Sequence, residues 1–131
     1  MQKTKNEKVL RVHIPEGMQV LRHHLYEYKK GLRHLILHTA NSCHEPDIIK
    51  LLEKKNVNYL IIPASKKNIN IFFGDEKCIN IIRKIGNKSL SNYTDEEDFI
   101  LGIMLGSDRL QQCDRYLKRR ENRNNVEELI G

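Results

Sequence analysis

The sequence predicts an α+β domain: a two-layer sandwich with a mostly antiparallel sheet, helices on one face and a long C-terminal helix. Three observations predict it. Short strand-like stretches with two-residue alternation share the chain with segments of helical spacing. Some of these strand-like stretches follow one another with no crossover helix between them, which argues against a doubly wound parallel sheet. Residues 94–120 carry the cap and the apolar period of a long helix. Residues 1–17 are expected to be an N-terminal arm, 18–120 a single domain and 121–131 a fraying tail.

In the arm, residues 8–14 alternate as a short edge strand would, and Pro15-Glu16-Gly17 reads as a turn. The next stretch supports two readings. As a helix, Leu21, Leu25, Tyr28, Leu32 and Leu35 fall at 4-3-4-3 spacing. As a hairpin, residues 22–28 and 32–39 flank Lys29-Lys30-Gly31, with Gly31 supplying a positive φ. A glycine costs about 1 kcal/mol inside a helix, which favours the hairpin; under either reading the second half is a strand. Pro46 then suits the first turn of a helix whose apolar side is Ile48, Ile49, Leu51 and Leu52. Residues 57–62 form a strand and Pro63–Lys67 a loop. In the strand 68–73, Ile69, Ile71 and Phe73 share one face and Asn68, Asn70 and Phe72 the other. A helix follows with Ile79, Ile82 and Ile85 as its stripe and Gly86 as its stop. Thr94 and Glu97 form a capping box, and the helix they open runs through Phe99, Ile103, Leu110, Cys113 and Leu117, with a bend near Gly106-Ser107.

Composition narrows the function classes. The chain has 131 residues, enough for one real core. Its apolar runs are short, so a spanning helix is not expected, and its start lacks the pattern of a secretory leader. Three widely spaced cysteines (Cys43, Cys78, Cys113) form no CxxC pair and fit a reducing cytoplasm. Residues 18–93 hold 13 basic and 6 acidic side chains, whereas 94–131 hold 6 and 9. The positive excess therefore lies in the body, where it would attract an acidic protein, a nucleic acid or an anionic ligand; solvated lysines are the plain alternative.

Five of the six histidines lie between His23 and His44. In the hairpin reading His24, Tyr26, His34 and His38 share one face, with Arg22, Tyr28 and Ile36. Imidazoles there would suit a haem iron or a metal, with His34 and His38 as the ligands, and tyrosine would stack on a flat ring. The same residues would also serve as ordinary half-buried sheet surface. Lys29, Lys30 and Arg33 surround the turn and would meet an acidic partner; Lys66 and Lys67 are expected at the same end of the sheet. Cys43 before a helix would be an activated thiol or part of a capping loop. Gly102 and Gly106 point to close packing against the sheet, and the four acids Asp95–Asp98 to helix capping. No dinucleotide or P-loop fingerprint occurs. Tyr26, Tyr28 and Phe72 are the aromatics a nucleic-acid platform would expose, but no RNP-type motif accompanies them, so nucleic acid is not the expected partner.

The blocks HHLYEYKKGLRHLILHT (23–39), INIFFG (69–74) and SLSNYTDEEDFILGIMLGSDRLQQCDRYLKR (89–119) resemble a small bacterial family known only as a domain of unknown function. The likeness spans about residues 20–120. It implies an α+β domain and no established activity. Genes of the family often sit beside a flavodoxin gene in anaerobes, several of which depend on host haem iron. The resemblance thus implies a binding module acting with a flavodoxin in redox or haem-iron metabolism, with haem or a related tetrapyrrole as ligand. The alternatives are an enzyme acting on a tetrapyrrole through the same His/Tyr face, a basic nucleic-acid binder, and a purely structural homodimer.

Overall fold

A computed structural model describes residues 16–130, so the strand expected at 8–14 lies outside the described residues. The middle of the fold is β3 (Asn68–Gly74), flanked by β1 (Leu35–Asn41) and β2 (Asn58–Pro63). Both neighbours pair with β3 antiparallel, with Leu35 and Asn58 opposite Gly74 and Asn41 opposite Asn68. The expected α+β class with an antiparallel sheet is therefore present.

The segment before β1 is a helix, α1 (Glu16–Lys29), and not the first arm of a hairpin. Met18, Leu21 and Leu25 bury its inner side, with Tyr28 packed at the edge of that core. Gly31 does take a positive φ of 76°, but as the residue that ends the helix. Its N–H donates to Tyr28 O and that of Leu32 to Glu27 O, the paired bonds of a Schellman motif. One glycine signal thus serves two readings, and the apolar stripe decides between them, because only a helix brings Met18, Leu21, Leu25 and Tyr28 to one side, whereas a strand would set Met18 and Tyr28 opposite the leucines.

A 3-10 turn (Ser42–His44) leads into α2 (Glu45–Lys54), with Pro46 in its first turn. It ends in the same motif as α1, here with Asn56 at φ 54°: Asn56 N–H donates to Glu53 O and Val57 N–H to Leu52 O. Helices α1 and α2 cover the sheet face that carries Ile36, Ile69, Ile71 and Phe73. The opposite face carries Leu35, Ile62 and Phe72 and packs on α3 (Glu76–Ile85), Tyr93 and α4 (Asp95–Met104). Helices thus lie on both faces, one layer more than the expected sandwich. This explains why β3 is buried from Ile69 to Gly74 and reads as nearly continuous apolar sequence. Phe72, which a nucleic-acid platform would need exposed, is fully buried. Asn70 is buried beside it and its Oδ1 accepts from Thr39 Oγ1 at 2.7 Å.

The capping box of α4 is formed: Thr94 N–H donates to Glu97 Oε1 and Glu97 N–H to Thr94 Oγ1. The expected long C-terminal helix is present, but it starts at Arg109, and the span from Thr94 is two helices and not one bent helix. At Gly106 (φ 79°) the chain reverses, Asp108 caps the next helix through the N–H groups of Leu110 and Gln111, and α5 (Arg109–Ile130) folds back along α4. Helix α5 continues through the stretch expected to fray. Gly102 sits close to another element as its spacing suggested, but against the Gln112 side chain of α5 and not the sheet.

Four arginines hold this hairpin. Arg115 donates to Asp98 through Nε at 2.8 Å and Nη2 at 3.1 Å. Arg119 Nε lies 2.9 Å from Asp95 Oδ1, Arg123 Nε 2.6 Å from Asp95 Oδ2 and Arg120 Nη1 3.8 Å from the same oxygen. The acids therefore do more than cap. Burial pushes the Asp95 carboxyl up, yet the hydrogen bond from Arg119 and the nearby charges of Arg119 and Arg123 outweigh it and leave the group below its ordinary value. Asp98 is lowered chiefly by its hydrogen bond from Arg115. Glu97 is lowered first by its hydrogen bond from Lys88, at 2.6 Å, and then by the Thr94 backbone N–H.

Candidate functional site

The end of the sheet marked by Leu35, Asn58 and Gly74 is where α1 and α2 both finish. Cations in the last turn of a helix are favoured by its negative end, and here two such ends lie side by side. Lys29, Lys30, Arg33, Lys54 and Lys55 therefore gather from segments about 25 residues apart in sequence. Lys29 Nζ donates to Lys55 O at 2.9 Å, tying the two helix ends together. Lys30 Nζ stands 5.5 Å from the centre of the Tyr26 ring. Between the helices runs a shallow groove of about 250 Å³ lined by Arg22, Leu25, Tyr26, Lys29, Leu51 and Lys55, with no carboxylate in its wall. Arg22, Tyr26 and Lys29 follow the 4-3 rhythm of one helical side. Lys66 and Lys67 do not join them: Lys67 O accepts from Ser42 N–H, beside the Asn41–Asn68 end, so this pair lies at the far end of the sheet.

The expected His/Tyr face is divided by the helical course of α1. His24, on α1, meets His38 of β1, with ring centres 5.7 Å apart and planes at 67°. His38 is only 8% exposed beneath the helix. Burial lowers the pKa of both imidazoles; the neighbouring Arg33 adds to this at His24, and His24 itself does so at His38. Arg33 Nη1 is 3.5 Å from His24 Nδ1, and Glu27 Oε1 lies 3.7 Å from the same nitrogen and 3.2 Å from His23 Nε2. Tyr26 stands on the outer side of α1, 57% exposed. His34 is exposed at the entry to β1, about 13 Å along the strand from His38. The four residues do not share one face. As a set they do not fit a single flat tetrapyrrole, and His34 and His38 do not converge on one iron. Among the described residues no group of three His, Cys, Asp or Glu is placed to hold a metal ion.

Cys43 is exposed in the 3-10 turn, where its N–H donates to Asn41 Oδ1 at 2.9 Å, the geometry of a capping loop. Tyr28 turns inward against Phe73, so Tyr26 alone of the three expected aromatics is displayed. Sequence reasoning missed Arg22, Lys54 and Lys55 as companions of Lys29, Lys30 and Arg33. The helical spacing of Arg22, Tyr26 and Lys29 was the signal for the first; the pairing of two helix ends had none in the sequence. Among the described residues no helix is long and apolar enough to cross a membrane.

No curated protein matches the chain. A family model described as a protein of unknown function (DUF2023) matches residues 19–119, which takes in most of α1, the whole sheet and the first half of α5. The match covers well over half of the chain and agrees with the blocks singled out above, and the chain belongs to this family, DUF2023.

Proposed function

We propose that this protein is a binding module whose cationic end docks an acidic protein partner, a flavodoxin in the first instance. One observation carries the reading. Arg22, Lys29, Lys30, Arg33, Lys54 and Lys55 lie at one end of the fold, and among the described residues none of them has a carboxylate within 4.0 Å. The exposed Tyr26 at the centre offers an apolar anchor of the kind that recurs at interfaces. Opposite charges steer encounter and need little contact area for a transient redox exchange. The setting we propose is redox or haem-iron metabolism in the cytoplasm, supplied by the partner and not by a haem held on the four His/Tyr positions. The three unpaired thiols fit that compartment.

Stopped-flow mixing with a flavodoxin at low salt tests the reading. The Lys30→Glu/Arg33→Glu variant should associate about tenfold more slowly, with a smaller change in dissociation, and added salt should erase the difference. Equal association rates for the two proteins at low salt would overturn it.

A further inference from the structure

A second cavity lies at the same end of the sheet, on the side of the α4–α5 hairpin. It has a volume of about 410 Å³ and is walled by two stretches of chain, residues 32–34 and 103–109. The linker between α1 and β1 contributes Leu32, Arg33 and His34; the end of α4 contributes Ile103 and Met104; the start of α5 contributes Arg109. Its walls combine the apolar Leu32, Ile103 and Met104 with polar side chains. Its polar part is cationic or donor-rich: two guanidiniums and one imidazole.

The absence of a carboxylate partner among the described residues sets these two arginines apart. On α5, Arg115, Arg119, Arg120 and Arg123 all reach Asp95 or Asp98. Arg109, on the same helix, has no carboxylate within 4.0 Å among the described residues, and Arg33 has only the edge of His24 at 3.5 Å. The nearest acid in sequence, Asp108, accepts from the N–H groups of Leu110 and Gln111 through Oδ1 and makes no ion pair with Arg109. Two arginines in the wall of a partly enclosed cavity, neither with a carboxylate partner among the described residues, offer the fork geometry that a phosphate or carboxylate matches. The apolar wall would take an adjoining hydrocarbon body, as in small-ligand sites of this size.

We propose that this cavity binds a small organic anion, a phosphate or carboxylate carried on an apolar body, with Arg33 and Arg109 gripping the anionic head, His34 donating to it, and Leu32, Ile103 and Met104 covering the body. The proposal does not rest on the partner reading, and its test uses no partner protein.

The test is calorimetric titration of the full chain with phenyl phosphate at low salt, beside benzoate, inorganic phosphate and phenol. Phenyl phosphate should bind saturably with one-to-one stoichiometry, and inorganic phosphate more weakly. Benzoate binding more tightly than phenyl phosphate would assign the carboxylate class; the reverse order would assign the phosphate class. Arg109→Gln and His34→Gln should weaken phenyl phosphate, the former by about tenfold, and Leu32→Ser by about threefold. All three side chains are exposed, so unchanged melting temperatures will show that folding is intact. Unsaturable heats in the wild type, equal affinity for phenol, or variants that bind like the wild type would each overturn the proposal.

Discussion

Along the α4–α5 hairpin, four arginines of one helix meet two aspartates of the other, whereas along α1 and at the ends of α1 and α2 six cations stand without a carboxylate within 4.0 Å among the described residues. Both regions read as charge clusters in the sequence. In the first, the charges are consumed in holding two helices together. In the second, the fold neutralises little beyond the helix dipoles, and the remaining field points outward. Net charge by segment hides this difference: residues 94–131 look acidic, with 9 acids against 6 bases, yet Arg115, Arg119, Arg120 and Arg123 within them are all paired with aspartates.

The contrast predicts opposite responses to substitution. Asp95 is 3% exposed and neutralises three guanidiniums. Asp95→Ala should leave Arg120 and Arg123 without a carboxylate and Arg119 with Asp98 alone, and lower the melting temperature by roughly 5–10 °C, the largest effect expected. Lys30→Glu/Arg33→Glu should move it by no more than about 2 °C. Thermal melts of the two variants side by side check this; a double variant that melts as early as Asp95→Ala would erase the distinction between the regions.

Acidification should act on the hairpin next. The ordinary values are 3.8 for Asp95 and Asp98, and both are lowered in the fold. A carboxylate with a depressed folded value contributes stability that is fully present above its unfolded value and lost as pH falls through the folded one. Denaturant unfolding should therefore show stability falling from about pH 5 downward, and Asp98→Asn should flatten that slope. A slope unchanged in the variant would place the acid sensitivity elsewhere.

A smaller effect is expected at the reversal. Gly106 has φ 79° and open space around the position a Cβ would take, so Gly106→Ala should cost only about 1 kcal/mol of backbone strain. Gly74→Ala makes the control, because there a Cβ would meet the backbone carbonyl of His34, and the loss should be larger. The smallest effect belongs to the His24–His38 pair. Their folded values lie below the ordinary 6.5, so the neutral rings are favoured in the fold and stability should ebb as pH falls from 6.5 through those folded values. Melting temperatures between pH 7.5 and 5.5 should decline slightly in the wild type and less in His38→Gln.

How much of this was legible in the sequence depended on whether the signal was local. The capping box at Thr94 and Glu97, the alternation of 68–73, Pro46 at a helix start and the stop at Gly86 are all decided by neighbours in the chain, and each is present. Gly31 and Gly106 were also correctly marked as breaks. What each break joined was not legible, because a positive-φ glycine ends a helix as readily as it turns a hairpin. That ambiguity placed α1 in the sheet and so put His24, Tyr26, His34 and His38 on one imagined face. The same limit applied to the cationic end. Lys29, Lys30 and Arg33 could be singled out as a local cluster, but Lys55 joins them only through the parallel course of α1 and α2, and Lys67 leaves them only through the register of β1 on β3.

The most direct test is a nitrogen-15 and proton NMR titration of the labelled protein with unlabelled flavodoxin at low and at high salt. The account predicts amide shifts centred on residues 22–33 and 54–55, collapsing as salt is added, with the α4–α5 hairpin unmoved. Shifts centred on the hairpin, or none at low salt, would contradict it.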